Sequence, residues 1–318
     1  MIPADRVLSF SADRGDARLR LDQILVRRLS HLPDLSRTAA QHWIAAGSVA
    51  VDGRRARRPS QHVAAGAVID VRLPETARAR ASATPEAIEV NLLYEDDWLL
   101  AVNKPAGLVV HPTYKHSSGT LLNAVLWRLG PGARPGIVNR LDRQTSGVML
   151  VARTPEVHAA LQRESARGRI RKEYLAIVTG RPRRRHGTIA LPIGRSQRDR
   201  RRMVVDPAGR PAETRFEVLA TGTNASLLRC ELVTGRTHQI RVHLSARGWP
   251  IVGDATYGRP SVELDRHALH AWRVSLTHPF TGAPLLVTAP LPPDLLLVVE
   301  REIGRAATSF LNATDVVA

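Results

Sequence analysis

The sequence predicts an α+β fold in two parts, on three observations. Helical periodicity gives way to alternating strands within a compact N-terminal stretch; a composition break rich in Ala, Arg, Pro, Ser and Thr follows; and beyond it strands come in runs with helices interspersed, without regular βαβ alternation. With 318 residues the chain can hold one small and one large domain. The expected division is an N-terminal extension at 1–18, a small domain at 19–73, a linker at 74–87, a large domain at 88–300 and a C-terminal tail at 301–318.

In the small domain Leu21, Ile24, Leu25 and Leu29 recur at helical spacing. Ser36 is a candidate N-cap for a second helix that carries Ala40, Trp43 and Ile44 on one face and stops at Gly47. Val49 and Val51 alternate up to the tight-turn pair Asp52-Gly53, and Val68, Ile69, Val71 and Leu73 form a closing strand. Arg54, Arg55, Arg57 and Arg58 follow the turn, either as a solvated face or as a phosphate-contacting patch. The stretch 74–87 has no useful periodicity and reads as a linker.

In the large domain strands are expected at Leu99–Val102, Val148–Val151, Tyr174–Val178, Ala212–Leu219 and Leu227–Val233. Thr120 caps a helix carrying Leu121, Leu122, Val125, Leu126 and Leu129; Thr154-Pro155 opens another that ends near Gly168. A third follows Thr237, with Ile240, His243 and Leu244, and stops at Gly248. Gly180–Pro211 reads as a long loop, a length often tied to function.

The net charge is +17, from 46 Lys and Arg against 29 Asp and Glu. This favours a polyanionic partner. No apolar run approaches the roughly 18 residues of a spanning helix, and the N-terminus has no basic-then-apolar export pattern, so nucleic acid is expected in preference to a membrane surface. Cys230 is the only cysteine, which excludes an internal disulfide and a multi-cysteine metal centre and points to a reducing compartment, the cytoplasm. The histidines have no metal-ligand spacing, and neither a phosphate loop nor a GxGxxG pattern is present, so no metal or organic cofactor is expected.

The most informative segment is IVNRLDRQTSGVMLVA, residues 137–152. Asp142 lies between apolar, strand-like flanks and beside Arg140 and Arg143, with Thr145, Ser146 and Gly147 at the exit. The residues alone leave two readings: a carboxylate that caps a turn or pairs with an arginine, or a catalytic one.

Residues 19–73 resemble the S4 RNA-binding domain through LSRTAAQHWI, GSVAVDG and VAAGAVIDV. Residues 88–290 resemble the catalytic domain of the RluA family of large-subunit ribosomal RNA pseudouridine synthases, closest to its RluD-like branch. The matching pieces are Lys104-Pro105-Ala106-Gly107, Arg140-Leu141-Asp142 with Thr145-Ser146-Gly147, Arg171-Lys172-Glu173-Tyr174, GRTHQIR at 235–241, GDATYG at 253–258, His270-Ala271 and His278-Pro279. The resemblance implies a small α/β module before a mixed, mainly antiparallel sheet, and an enzyme that isomerises uridine to pseudouridine in structured RNA, most often 23S ribosomal RNA or a large-subunit precursor. It also implies a monomer.

Carried over by motif, Asp142 is the essential aspartate, acting at C1′ or C2′ of the ribose as an ionised carboxylate. Arg241 is its basic partner, able to orient the carboxylate through charged hydrogen bonds. Tyr174 lies against the target base, and Arg140 intrudes beside the flipped uridine, whose departure from its stack costs a few kcal/mol. Arg37, Arg54, Arg55, Arg57 and Arg58 are implied RNA contacts of the S4-like module. Arg183 and Arg184, with other arginines of the long loop, read as contacts to the RNA backbone. The chain departs from the family at Asn139, where a histidine is usual; asparagine keeps hydrogen-bonding capacity but does not titrate. His111-Pro112-Thr113 resembles the branch that modifies a helix-end loop of the large-subunit RNA. Two other functions are weighed: an RNA-binding or ribosome-assembly factor whose isomerase site is dispensable, and a hydrolase of nucleotide glycosidic bonds, which lacks an evident second acid–base carboxylate.

Overall fold

In the computed structural model, the described residues are 7–29, 35–72, 83–112, 116, 118–308, 311 and 316–317. The chain divides into two compact units, Met1–Ser82 and Ala83–Ala318.

The smaller unit contains β1 (Val7–Ser11), α1 (Leu21–Arg28), α2 (Arg37–Ala45), β2 (Val49–Val51), β3 (Arg54–Arg55) and β4 (Val68–Arg72). Its strands form an antiparallel sheet in the order β1-β4-β2-β3. Leu21, Ile24 and Leu25 of α1, with Ala40, Trp43 and Ile44 of α2, bury their shared face against Val49, Ile69 and Val71. Ser36 caps α2 by accepting a hydrogen bond from the Ala39 N–H.

The expected N-terminal extension is corrected here. Val7–Ser11 pairs with β4 along its length, and the fully buried Asp16 accepts a 2.7 Å bond from Arg28 Nε. This strand escapes notice in the sequence because every residue of it keeps some exposure on a sheet edge. Leu73, expected to end the closing strand, and most of the expected linker lie outside the described residues. Within that stretch, Thr84 and Glu86 are anchored to the larger unit: the Thr84 carbonyl accepts from Asn123 Nδ2 at 2.8 Å, and the Glu86 carboxylate accepts from the Gly119 N–H at 2.9 Å.

The larger unit runs β5 (Asn91–Glu95), β6 (Leu99–Lys104), α3 (Leu121–Leu129), β7 (Gly136–Ile137), β8 (Ser146–Ala152), α4 (Pro155–Ala166), β9 (Arg171–Thr179) and β10 (His186–Ala190). It continues through β11 (Ile193–Arg195), β12 (Met203–Val205), β13 (Glu213–Thr221), β14 (Ala225–Leu232), α5 (Gln239–Ala246), β15 (Leu269–Thr277), β16 (Pro284–Thr288), α6 (Pro293–Glu302) and β17 (Val316–Val317). Its main sheet has the order β10-β13-β14-β9-β15-β8-β6-β5. Pairing is antiparallel except between β15 and β8, which run parallel over His270–Ser146 and Ala271–Gly147. This is a mixed, mainly antiparallel α+β fold, and one core joins the inner face of the sheet to α3, α5 and α6.

Two further expectations are corrected. Gly180–Pro211 is not a loop throughout: it contains β10 and a two-stranded hairpin of β11 and β12. Strands of three to five residues interrupted by arginines and glycines carry too little alternation to be read from sequence. The expected C-terminal tail also belongs to the unit. Glu302 ends α6, Ala307 and Leu311 are buried, and β17 pairs with β16. Residues 309–310, 312–315 and 318 lie outside the described residues.

Candidate active site

Asp142 lies on the connection between β7 and β8, just ahead of the parallel contact that β8 makes with β15. A tight turn there is closed by the Thr145 N–H donating to the Asp142 carbonyl at 3.0 Å. At Gly147, the second residue of β8, φ is +113°, and a Cβ would come within 2.1 Å of the Ala271 carbonyl oxygen. Only glycine lets β8 approach β15 this closely. Two imidazoles reinforce the contact: the Thr145 hydroxyl lies 2.7 Å from His267 Nε2, and the Ser146 hydroxyl 2.9 Å from His270 Nδ1. Burial lowers both histidines to about 4, so both are neutral at physiological pH.

The other side of the turn is strapped to the Lys104-Pro105-Ala106-Gly107 segment. Lys104, fully buried, donates from Nζ to the carbonyls of Pro105, Leu108 and Arg143 at 2.7, 3.1 and 3.0 Å. The Gly107 N–H donates to the Arg143 carbonyl, and Arg143 Nε donates back to the Gly107 carbonyl. Burial, then the Arg266 charge, with Asp142 opposing, bring Lys104 down to about 7. Arg266 adds a bond to the Gln144 carbonyl while paired with Asp294 at 2.7 and 3.0 Å.

Asn139 has a backbone task. Its Oδ1 accepts from the Leu150 N–H at 2.7 Å and its Nδ2 donates to the Val148 carbonyl at 3.3 Å, extending the β7–β8 ladder through a side chain. The titratable group usual at this position is therefore not needed to hold the turn.

Asp142 meets Arg241 from α5, which donates from Nη1 to Asp142 Oδ2 at 3.0 Å. The Arg241 side chain is 7% exposed, and its guanidinium is clamped by Asp254, which accepts from Nε at 2.7 Å and Nη2 at 2.9 Å. Burial alone would lower the Arg241 pKa, but the bonds and charge of Asp254, with the charge of Asp142, raise it above its ordinary value. Burial pushes the Asp254 pKa up, and the Arg241 bonds more than reverse that. Asp254 also accepts from the N–H groups of Thr256 and Tyr257. Arg241 donates to Asp142 Oδ2, and His238 Nε2 lies 3.8 Å from the same oxygen, beyond hydrogen-bond distance. Among the described residues no donor to Oδ1 is found.

That cleft is lined by Asp142, Arg140, Tyr174, His238 and Arg241, so the four residues singled out from the sequence come together. A wider opening of about 650 Å³ continues it past Asn139, Ser165, Lys172 and Thr234, a volume ordinary for a site that receives a small organic group. Tyr174 sits in β9 between β14 and β15 and is 5% exposed. Burial, then the Asp142 charge, raises its phenol, which stays protonated at neutral pH. Arg140 is exposed at the rim. Its charge, after burial, lowers the nearby His111; Thr113 of the same motif lies outside the described residues.

The remaining predicted contacts sit elsewhere. Arg54, Arg55 and Arg57 line a groove with Ile44 and Ala45 on the smaller unit, and Arg58 is exposed beside them. Arg37 is half-exposed, and its Nε donates to the fully buried Asp22 at 3.0 Å. Arg183 and Arg184 are exposed on the turn between β9 and β10. Among the described residues, no group of three His, Cys, Asp or Glu side chains is placed to hold a metal, and no helix is long and apolar enough to cross a membrane. The sequence reading gave no role to Asp254 or Tyr257 and none in this site to His238. The GDATYG and GRTHQIR motifs contained the signal, but the pairing of Asp254 with Arg241 is visible only in three dimensions.

Comparison with known proteins decides the class. Residues 98–246 match the RNA pseudouridylate synthase family and residues 19–69 the S4 domain. An uncharacterized RNA pseudouridine synthase of Chloroflexus aurantiacus is 46% identical over 295 residues, covering 91% of each chain. The chain belongs to the RNA pseudouridine synthase family. A protein named ribosomal large subunit pseudouridine synthase D from Nitrosomonas europaea is 43% identical over 89% of this chain and 84% of its own. Among solved structures, human RNA pseudouridylate synthase domain containing 1 matches with a TM-score of 0.55 at 29% identity, over 66% of this chain and 87% of that one. The protein is thus an RNA pseudouridine synthase, an isomerase, with an S4 domain at its N-terminal end.

Proposed function

We propose that this enzyme isomerises uridines in 23S ribosomal RNA or a large-subunit precursor, with Asp142 as its catalytic carboxylate. The observation that carries the assignment is the chain of contacts Asp254–Arg241–Asp142: a carboxylate held at Oδ2 by a guanidinium that is itself immobilised by a buried partner. Such an arrangement keeps the Asp142 carboxylate oriented when RNA excludes water from the cleft. Oδ1 is then the oxygen available to the ribose. Addition at C1′ and removal of the 2′ proton both use that same anionic oxygen.

The reaction breaks the N1–C1′ bond, turns the base and joins C5 to C1′; C5 gives up its proton and N1 gains one, so no net proton is consumed. Tyr174 offers the loose base a fixed aromatic face, and its protonated phenol suits hydrogen-bond donation better than proton removal. Arg140 at the rim fills the space vacated by the flipped nucleotide and recovers part of the unstacking cost. Arg183 and Arg184 on the larger unit, and Arg37, Arg54, Arg55, Arg57 and Arg58 on the smaller, contact the RNA backbone, with Arg37 doing so while paired to Asp22. Several curated relatives carry large-subunit names, which supports that RNA as substrate. The reading extends to a monomer in the cytoplasm that needs neither metal nor organic cofactor, because one chain supplies the anion, its orienting cation and the aromatic face.

The test is to incubate wild type and Asp142→Asn with unmodified 23S RNA and map pseudouridines. Site-specific conversion by wild type and none by the variant is expected. Conversion by Asp142→Asn would refute the catalytic assignment, and a wild type that binds but never converts this RNA would favour an assembly role.

A further inference from the structure

We infer that His238 is a positioning residue for the Asp142 carboxylate, its tautomer locked by Tyr257; this rests on the reading of Asp142 as the reacting group. The Tyr257 hydroxyl lies 2.8 Å from the Met203 nitrogen and 2.8 Å from His238 Nδ1. An amide N–H can only donate, so the hydroxyl oxygen accepts from Met203; Nδ1 is the one acceptor found for the hydroxyl proton among the described residues, and we take the proton to point there. A neutral imidazole that accepts at Nδ1 carries its hydrogen on Nε2. Burial lowers the His238 pKa despite the opposing charge of Asp142, which keeps the ring neutral at physiological pH.

Nε2 is 3.8 Å from Asp142 Oδ2, the oxygen that Arg241 already holds. The Arg241 bond and the Nε2–H dipole, which lies too far away for a hydrogen bond, thus both favour the carboxylate rotamer that leaves Oδ1 for the substrate. In the Nδ1–H tautomer, Nε2 would turn a lone pair toward an anion.

The backbone agrees with a built position. His238 has φ +56°, the left-handed region that residues with side chains seldom occupy, and it makes no side-chain cap for α5. Strain of this kind persists where surrounding contacts enforce it. The contacts come from Tyr257, whose ring meets His238 edge-on at 5.7 Å and packs under the Arg241 guanidinium at 5.0 Å. Arg202, next to β12, lies over the same ring at 5.4 Å. Tyr257 thus joins both His238 and Arg241 to the arginine-bearing β11–β12 hairpin.

The experiment has a spectroscopic and a kinetic arm. Long-range nitrogen–proton NMR of the imidazole in the free wild-type protein should show a bare Nδ1 and a protonated Nε2; a proton on Nδ1 overturns the inference. Tyr257→Phe keeps the ring but loses the locking proton. Its single-turnover rate should fall about tenfold or more, within the hundredfold that about an ångström of misplacement can cost, while RNA affinity changes less than about twofold. His238→Asn tolerates the left-handed backbone and retains a side-chain N–H, so it should keep clearly more activity than His238→Ala. A wild-type rate in Tyr257→Phe, or equal losses in His238→Asn and His238→Ala, overturns the assignment. The failure of Asp142 as catalyst would show separately, as conversion by Asp142→Asn.

Discussion

Asp254 offers the sharpest check on how the cleft is built, because it touches only groups that donate to it. Its carboxylate receives Nε and Nη2 of Arg241 at 2.7 and 2.9 Å and the N–H groups of Thr256 and Tyr257 at 3.0 and 3.1 Å. Asparagine at this position keeps one oxygen but brings an NH₂, which must face a donor whichever way the amide turns. With the oxygen where Oδ1 was, the bonds to Nη2 and the backbone survive and the one to Nε is lost. One charge-assisted hydrogen bond in a buried site is worth about 1.5–3 kcal/mol. Asp254→Ala removes the partner altogether and leaves the guanidinium buried on Asp142 alone, at a cost of about 3–5 kcal/mol. Urea unfolding followed by fluorescence reports chiefly on the larger unit, which holds four of the five tryptophans, Trp98, Trp127, Trp249 and Trp272; Trp43→Phe removes the signal of the smaller unit. The midpoint should fall in the order wild type, Asn, Ala with an unchanged slope. The single-turnover rate of Asp254→Asn should drop by up to about 10²-fold through misaimed Arg241, with RNA affinity preserved. A wild-type midpoint together with a wild-type rate in Asp254→Asn would refute the clamp.

Three further outcomes follow from the same geometry. His270 is buried and held near a pKa of about 4, against about 6.5 unfolded, so its contribution is present above pH 6.5 and is lost as pH falls toward 4. Relative to His270→Gln, wild type should lose about 2 kcal/mol of unfolding free energy between pH 7 and pH 5, measured in urea; parallel curves would contradict the neutral histidine. Asn139→Ala strands the Leu150 N–H inside the protein and should cost about 1–3 kcal/mol of stability while the folded fraction isomerises at the wild-type rate; a selective rate loss would return a chemical role to this position. Arg37→Gln should destabilise the smaller unit by about 1–2 kcal/mol through Asp22. Replacing Arg54, Arg55, Arg57 and Arg58 by Gln should instead spare stability and flatten the salt dependence of RNA binding by about 0.7–0.9 in log–log slope per lost contact.

Periodicity made α2, α3, α4 and α5 legible, because each has a side-chain cap or a glycine stop beside an apolar face. It missed β1 and the β11–β12 hairpin for a shared reason: they are short and largely exposed, so no apolar alternation is demanded of them. The site divides the same way. Asp142, Tyr174 and Arg241 were recoverable because they stand in motifs, whereas the residues that aim Asp142 depend on contacts made far along the chain. Arg241 and Asp142 are 99 positions apart, and Tyr257 reaches Met203 across 54. The motifs did contain these partners, as GDATYG and GRTHQIR, but a motif gives no directions for its hydrogen bonds. Those directions decide the chemistry. The Arg241 bond and the nearby His238 ring both address Oδ2 of one carboxylate, so a substitution that turns either would change the aim of the carboxylate without removing its charge.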